Sequence, residues 1–468
     1  MSKRPMYGYF SVGMLLMLLG NCGPVGPDHE VPGMELPAVF SRGGVEWKRQ
    51  TPGSLPKAQA WWRLYQDSAL TGLVERALTG NQDLVAGAAR MRQAREMSIA
   101  TRSLYFPNVT LGANADRSKF RYRGPMEGAS LGDHFTVPLD FSYELDVWGK
   151  VRRQVESAKA SADAAGETLD ALRLSVAGEV AQTYWALRAV DADRAVLART
   201  LEIRSKAFDL LGKRRQAGTI SGLDLARAET EVATAEADRL RLDQNRITLV
   251  NALAVLTGVP ATGSSVAERT DLPKPPAVPA SVPSEMLRQR PDIRAAERNV
   301  AAANANVGVA CAAFYPSFSI SASSGFDATR SADLFQASSL VWSLGSHATQ
   351  SLTSRKWLKA QRNAAVAAHE AASAEYRQTV LDSIREVENA LQGSAILQRR
   401  QAAQEQALQA ARKTFELSAI RFKAGLVSFL DVVDAERTRL DAERAANAIR
   451  AERLAVSVAL IKALGGEW

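Results

Sequence analysis

Few residues in this sequence have the type and spacing that covalent or acid–base chemistry requires. The 468 residues include two cysteines and four histidines, which cannot build a disulfide scaffold and leave little material for a zinc site. The sequence has no P-loop and no Ser/His/Asp or Cys/His signature of nucleophilic catalysis. We therefore expect no catalytic residue, no metal and no cofactor, and we predict that the protein is not an enzyme.

A glycine followed by a serine and an aspartate occurs twice, with a spacing that suits the end of one helix and the start of the next. Gly218 and Gly425 are each placed for the left-handed residue at a helix C-terminus. A serine and an aspartate three residues apart then predict capping boxes, in Ser221 with Asp224 and in Ser428 with Asp431.

Two short apolar pairs lie between these glycines and serines. They are Thr219–Ile220 and Leu426–Val427, and we expect both to be exposed at the apex of a helical hairpin. Exposed apolar side chains at such a place usually bind a partner. The alternative is that these residues only build tight turns.

Cys22 is the residue for which the sequence predicts a covalent modification. Lys3 and Arg4 precede an apolar stretch from about Phe10 to Leu19, which is typical of a secretory signal and too short to cross a bilayer core of ~30 Å. Cys22 follows almost at once, as in the lipobox of bacterial lipoproteins, so we predict lipidation there. An ordinary cleaved signal or a truncated membrane anchor is the alternative. No later segment has ~18 consecutive apolar residues, so we expect no transmembrane helix.

The net charge is +8, from 58 Lys and Arg against 50 Asp and Glu. Both signs are mixed along the chain and form no basic block. This pattern disfavours a surface dedicated to nucleic acid.

The chain contains an internal repeat. The segment around Gly218 recurs around Gly425, 207 positions later, and the same offset relates Glu179–Val180 to Glu386–Val387. Such ordered agreement predicts two copies of one fold, joined by a proline-rich linker. The predicted division is a signal peptide at 1–21, a lipidated N-terminal and equatorial segment at 22–70, the first repeat at 71–258, the linker at 259–284, the second repeat at 285–465 and a tail at 466–468.

Each half has the same predicted order of elements. A helix ends before a proline, and alternation of period two then predicts a hairpin of two strands. A helix of ~67 residues, roughly 100 Å long, and an antiparallel return helix follow. The expected helices are 70–104, 150–216 and 222–257, and then 284–313, 356–423 and 429–464. The expected strands are Asn108–Asn114, Phe135–Phe141, Ser317–Ala322 and Leu344–Ser351, with a Gly/Pro turn region between the first two.

These elements resemble those of the outer-membrane factor family, the TolC/OprM type, and within it the NodT-like lipoprotein branch. The resemblance covers essentially the whole mature chain. It rests on the doubled order of elements, on the opening Cys22…Val25-Gly26-Pro27-Asp28, and on a motif Arg-xxx-Gly-xx-Ser-xx-Asp. The motif is carried by Arg214, Gly218, Ser221 and Asp224 in the first repeat, and by Arg421, Gly425, Ser428 and Asp431 in the second.

The resemblance implies a mainly α fold with a small β part, assembled as a homotrimer. Each chain would give four strands to one twelve-stranded β-barrel in the cell outer membrane, where it contacts lipid, and the long helices would form a periplasmic α-barrel. Four strands from one chain leave open edges that a bilayer does not tolerate, which agrees with closure across subunits.

The implied function is a passive exit duct of a tripartite efflux system that exports small molecules such as drugs or other toxic compounds. The two apices would dock onto a periplasmic membrane-fusion adaptor, which is coupled to an inner-membrane pump, and we expect a pump of the RND type. Two other readings are a channel for type I protein secretion and a periplasmic lipoprotein scaffold without a pore.

The family closes its periplasmic mouth with apolar and acidic side chains near the second apex. The matching positions are Leu430 and Asp434, one helical turn apart and thus on one face. The first repeat has Leu223 and Arg227 at the equivalent positions. The sequence also departs from the family in Leu344–Ser351, which is polar where an apolar alternation is usual.

Overall fold

The computed structural model describes residues 23–34, 60–122, 128–276 and 289–466, so Cys22 lies outside the described residues. The chain divides into two compact units. The sheet unit comes from the ranges 1–33, 91–166 and 295–377, and the helical unit comes from 34–90, 167–294 and 378–468.

The elements follow one another as the sequence predicts. The first half holds α1 (Ser68–Gly80), α2 (Gln82–Arg102), β1 (Asn108–Leu111), β2 (Asn114–Tyr122), β3 (Gly128–Leu145), α3 (Lys150–Gln216) and α4 (Gly222–Leu256). The second half holds α5 (Pro291–Ala312), β4 (Ser317–Ala328), β5 (Leu340–Thr349), α6 (Arg355–Lys423) and α7 (Phe429–Ala463). The four long helices are confirmed, and their ends lie within one residue of those expected. Strong helix formers without an internal proline make them continuous.

The first predicted helix, 70–104, is wrong as a single helix, because Asn81 divides it into α1 and α2. The Asn81 side-chain amide donates to the Leu256 carbonyl at 2.9 Å, and its oxygen accepts two backbone N–H groups of α2 at 3.0 and 3.1 Å. The chain turns here because the backbone at Gly80 packs directly against the backbone at Gly258. A Cβ built on Gly258 would lie 1.9 Å from the Gly80 oxygen, and so only glycine fits.

The sheet is antiparallel, with the strand order β1–β3–β4–β5, and β2 continues β1 along the same edge of β3. β1 and β2 keep one register against β3. They are interrupted at Gly112, whose partner Pro138 has no N–H to donate to the ladder. The Gly112 N–H still donates to the Pro138 oxygen at 2.9 Å.

Two expectations about the strands are wrong. We expected a Gly/Pro turn region before Phe135, but β2 reaches Tyr122 and β3 begins at Gly128, so the first hairpin is much longer. We expected the return strand to begin at Leu344, but β5 begins at Leu340. Backbone pairing with the neighbouring strand extends both elements past the local turn signals.

The register gives the sheet one apolar and one polar face, because paired residues of antiparallel strands share a face and neighbours along a strand alternate. Phe141 pairs with Val109 and Ala322, and Ala322 pairs with Leu344. The apolar face carries Val109, Leu111, Phe135, Val137, Leu139, Phe141, Tyr143, Leu145, Phe318, Ile320, Phe326, Leu340, Trp342 and Leu344. Of the polar residues of β5, Ser343, His347 and Thr349 lie on the other face and Ser346 lies on the apolar face. The strand therefore alternates largely as the other strands do.

A short N-terminal segment, the strap (residues 24–29), is bound to the sheet unit. The Val25 N–H donates to the Trp148 carbonyl at 3.0 Å, directly after β3. The buried Arg153 donates to Asp28 at 2.7 Å, and Asn304 donates to the Pro27 carbonyl at 3.0 Å. The strap is therefore held at the end of the sheet that joins α3.

The core of the helical unit is aromatic and contains several hydrogen-bonded polar groups. Tyr65 and Trp185 pack with their ring centroids 5.4 Å apart, and Tyr65 shares a 2.6 Å hydrogen bond with Ser457 of α7. Tyr184 donates to Asp67, the N-cap of α1, at 2.7 Å. These bonds connect the segment that holds Tyr65 and Asp67 to α3 of the first repeat and to α7 of the second.

No helix among the described residues is both long enough and apolar enough to cross a membrane.

Gly258 and Gly263 form a matched pair for testing the backbone contact. Both have positive φ, +75° and +78°, but a Cβ on Gly263 meets nothing within 4 Å. We expect Gly263→Ala to cost only the left-handed penalty of about 1–2 kcal/mol, whereas Gly258→Ala must also displace the Gly80 carbonyl. Thermal unfolding followed by circular dichroism should show a clearly larger loss for Gly258→Ala, and equal losses would contradict the contact.

Candidate functional site

The first tip (residues 214–224) is a tight turn that ends α3. Gly218 has φ +70°. The Thr219 N–H donates to the Arg214 carbonyl and the Gly218 N–H donates to the Arg215 carbonyl, both at 3.0 Å. This is the hydrogen-bond pattern of a Schellman motif, and it confirms the predicted left-handed C-terminus.

The second tip (residues 421–431) repeats this turn at the end of α6. Gly425 has φ +73°. The Leu426 N–H donates to the Arg421 carbonyl and the Gly425 N–H donates to the Phe422 carbonyl, again at 3.0 Å. The two tips thus have the same backbone, as the repeat predicts.

The predicted serine caps are confirmed, and the two boxes differ in detail. At the second tip the box is complete, since Ser428 Oγ accepts from the Asp431 N–H and the Asp431 carboxylate accepts from the Ser428 N–H at 2.8 Å. The Ser428 hydroxyl also donates to the Asp431 carboxylate, at 2.6 Å. This hydroxyl bond first, and the bond from the Ser428 N–H second, hold the pKa of Asp431 below its usual range. At the first tip Ser221 Oγ accepts from the Asp224 N–H at 3.3 Å, and the Ser221 hydroxyl donates to the Asp224 carboxylate at 2.8 Å. The capping box predicted there is therefore incomplete, because the structure records the reciprocal bond from the serine N–H at the second tip alone.

Exposure at the two tips follows our expectation only in part. Thr219 is exposed, and Leu426 is 72% exposed. Ile220 and Val427 are half-buried, so the expectation that they are exposed is wrong. Each precedes the capping serine, where the chain folds back onto its own hairpin; at the first tip Arg215 donates to the Ile220 carbonyl at 3.4 Å.

An aromatic residue that the sequence analysis missed connects the tips. The Arg214 guanidinium lies 5.8 Å from the centre of the Phe422 ring, within the range of a cation–π contact. Phe422 also packs near Phe429, with ring centroids 5.9 Å apart. The Arg214 side chain of the first repeat therefore contacts the second.

The two residues of the predicted gate are near the start of α7. Leu430 is 43% exposed and Asp434 is exposed. Their first-repeat counterparts, Leu223 and Arg227, are exposed near the start of α4. All four side chains are thus available to a neighbouring molecule, and their role as a gate stays a prediction.

A buried charge cluster lies on the helices behind the tips. Arg204 of α3 contacts the Glu231 carboxylate of α4 at 3.0 Å and the Glu436 carboxylate of α7 at 3.2 Å. Arg437 also pairs with Glu231. The side chains of Arg204, Glu231 and Glu436 are at most 8% exposed. The cluster therefore fixes three helices to one another.

Sequence reasoning missed this cluster, although a signal was present. Arg204 stands one turn after Thr200 on a stripe that also holds Val196 and Leu197, all of them buried. An arginine on the buried stripe of a helix requires a buried anion. Burial raises the pKa of Glu436, and the attraction of Arg204 offsets only part of this effect.

Comparison with known proteins identifies the family. The sequence model described as "Outer membrane efflux protein" matches residues 73–259 and again 282–466.

The chain belongs to the outer membrane efflux protein family. It is 32% identical over 461 residues to the pyoverdine export outer membrane protein OpmQ of Pseudomonas aeruginosa, covering 97% of this chain and 95% of that protein. It is 30% identical over 466 residues to the solvent efflux pump outer membrane protein SrpC of Pseudomonas putida, covering 97% of each.

Solved structures agree. The outer-membrane channel OprN has a TM-score of 0.86 at 31% identity, covering 94% of this chain and 99% of that one. The Campylobacter jejuni CmeC outer membrane channel has a TM-score of 0.86 at 25% identity, covering 95% of each. The resemblance noted from the sequence and the mainly α fold with a small β part are confirmed. The chain is an outer-membrane efflux channel protein.

Glu436→Gln tests whether burial raises the pKa of the Glu436 carboxyl. A raised folded-state pKa means that the protonated form stabilises the fold below the unperturbed value of 4.5, and that this stability is lost as pH rises through the folded-state pKa. Glutamine is neutral at every pH. We therefore expect Glu436→Gln to unfold at a higher temperature than the wild type near pH ~7.5, with the difference shrinking towards pH ~4.5.

The matched control is Glu452→Gln, which removes a half-exposed carboxylate 3.2 Å from Arg400. Exposed pairs contribute about 0–1 kcal/mol, so the control should show a small shift. A Glu436→Gln difference that is constant with pH would contradict the assignment.

Proposed function

We propose that this channel is the exit duct of a tripartite efflux system that passes small organic molecules from an inner-membrane pump and a periplasmic adaptor to the cell exterior. The observation that carries the proposal is the two-faced sheet, which is apolar on one side and polar on the other, with both edges open. Relatives are named for pyoverdine export and solvent efflux, which supports a small organic substrate. The channel itself performs no catalysis.

The open edges support a closed ring of identical chains, and the family resemblance implies that the ring is a homotrimer. Within the described residues, the edge formed by β1 and β2 pairs only with β3, and β5 pairs only with β4. Each chain therefore offers two unpaired edges, which adjacent copies fill if the β5 edge of one meets the β1/β2 edge of the next. Closure satisfies the backbone groups that lipid cannot.

The strap supports lipidation at Cys22. Val25 is bonded to the Trp148 carbonyl, directly after β3, and Cys22 is three residues earlier. Three extended residues span at most about 10 Å. A lipid on Cys22 therefore enters the membrane beside the sheet end that joins α3, because the strap is bonded there.

The tips support docking. The paired turns present an exposed Thr219 and a 72% exposed Leu426, and the capping bonds hold both backbones rigid. We propose that an apolar surface of the adaptor covers them, and that an RND-type pump powers the transport. We also propose the division of the chain into a signal peptide, an N-terminal segment, two repeats, a linker and a tail at the boundaries predicted above.

Single-channel conductance of the unheated, detergent-extracted oligomer in planar bilayers tests the function. We expect a small conductance that is mostly closed and prefers cations, because three Asp434 carboxylates around a threefold axis attract cations. An oligomer that never conducts, under any applied voltage and in the double variant described next, would favour the scaffold.

The gate has a matched control in the first repeat. Replacing Leu430 and Asp434 with serine should increase conductance and reduce cation preference, because the apolar and acidic ring is lost. Replacing Leu223 and Arg227 with serine should leave the conductance close to that of the wild type. Equal effects of the two double variants in folded trimers would remove the gate assignment.

A further inference from the structure

The apolar face of the sheet changes character at one end. On β2, Ala115 pairs with Phe135 and lies on the apolar face. The next residues of β2 on that face are Arg117, Lys119 and Arg121, which pair with Asp133, Leu131 and Ala129 of β3. The apolar face is thus continued by a basic row, defined as these three cationic residues.

The basic row carries a net positive charge. One carboxylate shares its face, and Arg117 Nε is 3.5 Å from the Asp133 carboxylate. Even so, the Arg117 side chain is 69% exposed, and Lys119 and Arg121 are also exposed. Alternate residues of a strand are about 6.6–6.8 Å apart, so the row spans about 13 Å. Its guanidinium groups can bind an anion in the plane of the sheet face.

The length of β3 places the row relative to the membrane. The apolar-face residues of β3 run from Phe135 to Leu145, a rise of roughly 33 Å along the strand. With the tilt of about 35–45° usual for membrane strands, this is about 25 Å along the bilayer normal, which is the height of an apolar band. Asp133 and the basic row therefore lie just outside the hydrocarbon layer.

The strap determines which side of the membrane this is. Leu145 is the β3 end nearest to Trp148, to which the strap is bonded, and there the chain continues into α3. The basic row is at the opposite end of β3. Because the resemblance places the long helices in the periplasm, the strap end that joins α3 is at the inner leaflet, and the row is at the headgroups of the outer leaflet.

We propose that the basic row binds phosphate groups of the phosphorylated glycolipid in the outer leaflet of the outer membrane. Arginine suits phosphate because its planar fork gives two parallel hydrogen bonds. An anionic substrate inside the duct is not the ligand, because the duct is lined by the opposite face, where Asp116 and Ser118 of the same strand lie. The inference rests on the proposed lipid-facing position of the apolar face.

The test measures glycolipid retained by the detergent-solubilised trimer, by native mass spectrometry during titration with a bis-phosphorylated glycolipid. We expect Arg117→Gln/Lys119→Gln/Arg121→Gln to weaken retention by about tenfold to a hundredfold, since each basic side chain near an anionic lipid surface contributes several-fold. The control Arg90→Gln/Arg92→Gln/Arg95→Gln makes the same charge change at exposed positions of α2 and should retain the lipid.

Two further arms make the result specific. The charge-conserving Arg117→Lys/Arg121→Lys should retain more glycolipid than the glutamine variant and less than the wild type, because the charge remains and the paired hydrogen bonds are lost. Glycolipid stripped of its phosphates should not be retained. Equal retention by the basic-row variant and the α2 control variant would overturn the proposal. Displacement of the lipid by inorganic pyrophosphate at equal phosphate concentration would also overturn it, because that result indicates a site for free anions. Conductance of the same variants separates the glycolipid site from the proposed exit duct. If the wild type conducts but does not retain the glycolipid, the glycolipid site is removed and the exit duct is not.

Discussion

A sheet in a bilayer must leave no backbone N–H or C=O without a partner, and much of this molecule follows from that requirement. Within the described residues the strands pair in order from β1 and β2 through β3 and β4 to β5, and the pairing stops at two open edges. A single chain therefore cannot be a finished membrane structure. It follows that its stability is inseparable from assembly, and that a measured unfolding transition reports the oligomer.

The helical unit has a different requirement, which is register. Long helices rich in alanine pack closely but specify poorly how far one has slid along another. Arg204 contacts carboxylates of two other helices, and a slide of one turn, about 5.4 Å, would separate them. Buried ion clusters contribute little net stability, yet an uncompensated buried charge is strongly destabilising. The cluster thus acts mainly by penalising wrong arrangements, and Arg194 with Asp243, at 2.7 Å, does so further along the same pair of helices.

Local sequence was sufficient for the long helices and both tips, and insufficient where distant segments meet. The helix ends and the left-handed Gly218 and Gly425 follow from propensity and turn chemistry, which need only neighbours in sequence. The break at Asn81 depends on Gly258, and the start of β5 at Leu340 depends on its pairing with Phe326. Neither could be predicted from one segment. The polarity of β5 looked anomalous only because the strand was started four residues late, which hid Leu340 and Trp342 on its apolar face.

The two repeats show which features of the tips are constrained. Both turns have the same glycine conformation and the same pair of closing hydrogen bonds, although the residues after each glycine differ. One helical turn into the return helices, the repeats carry opposite charges, Arg227 and Asp434. Backbone geometry is therefore common to all six tips of a trimer, whereas side-chain chemistry alternates between the two kinds. A partner that recognises backbone shape alone can bind every tip in the same way. A gate that depends on charge can involve only one of the two kinds of tip.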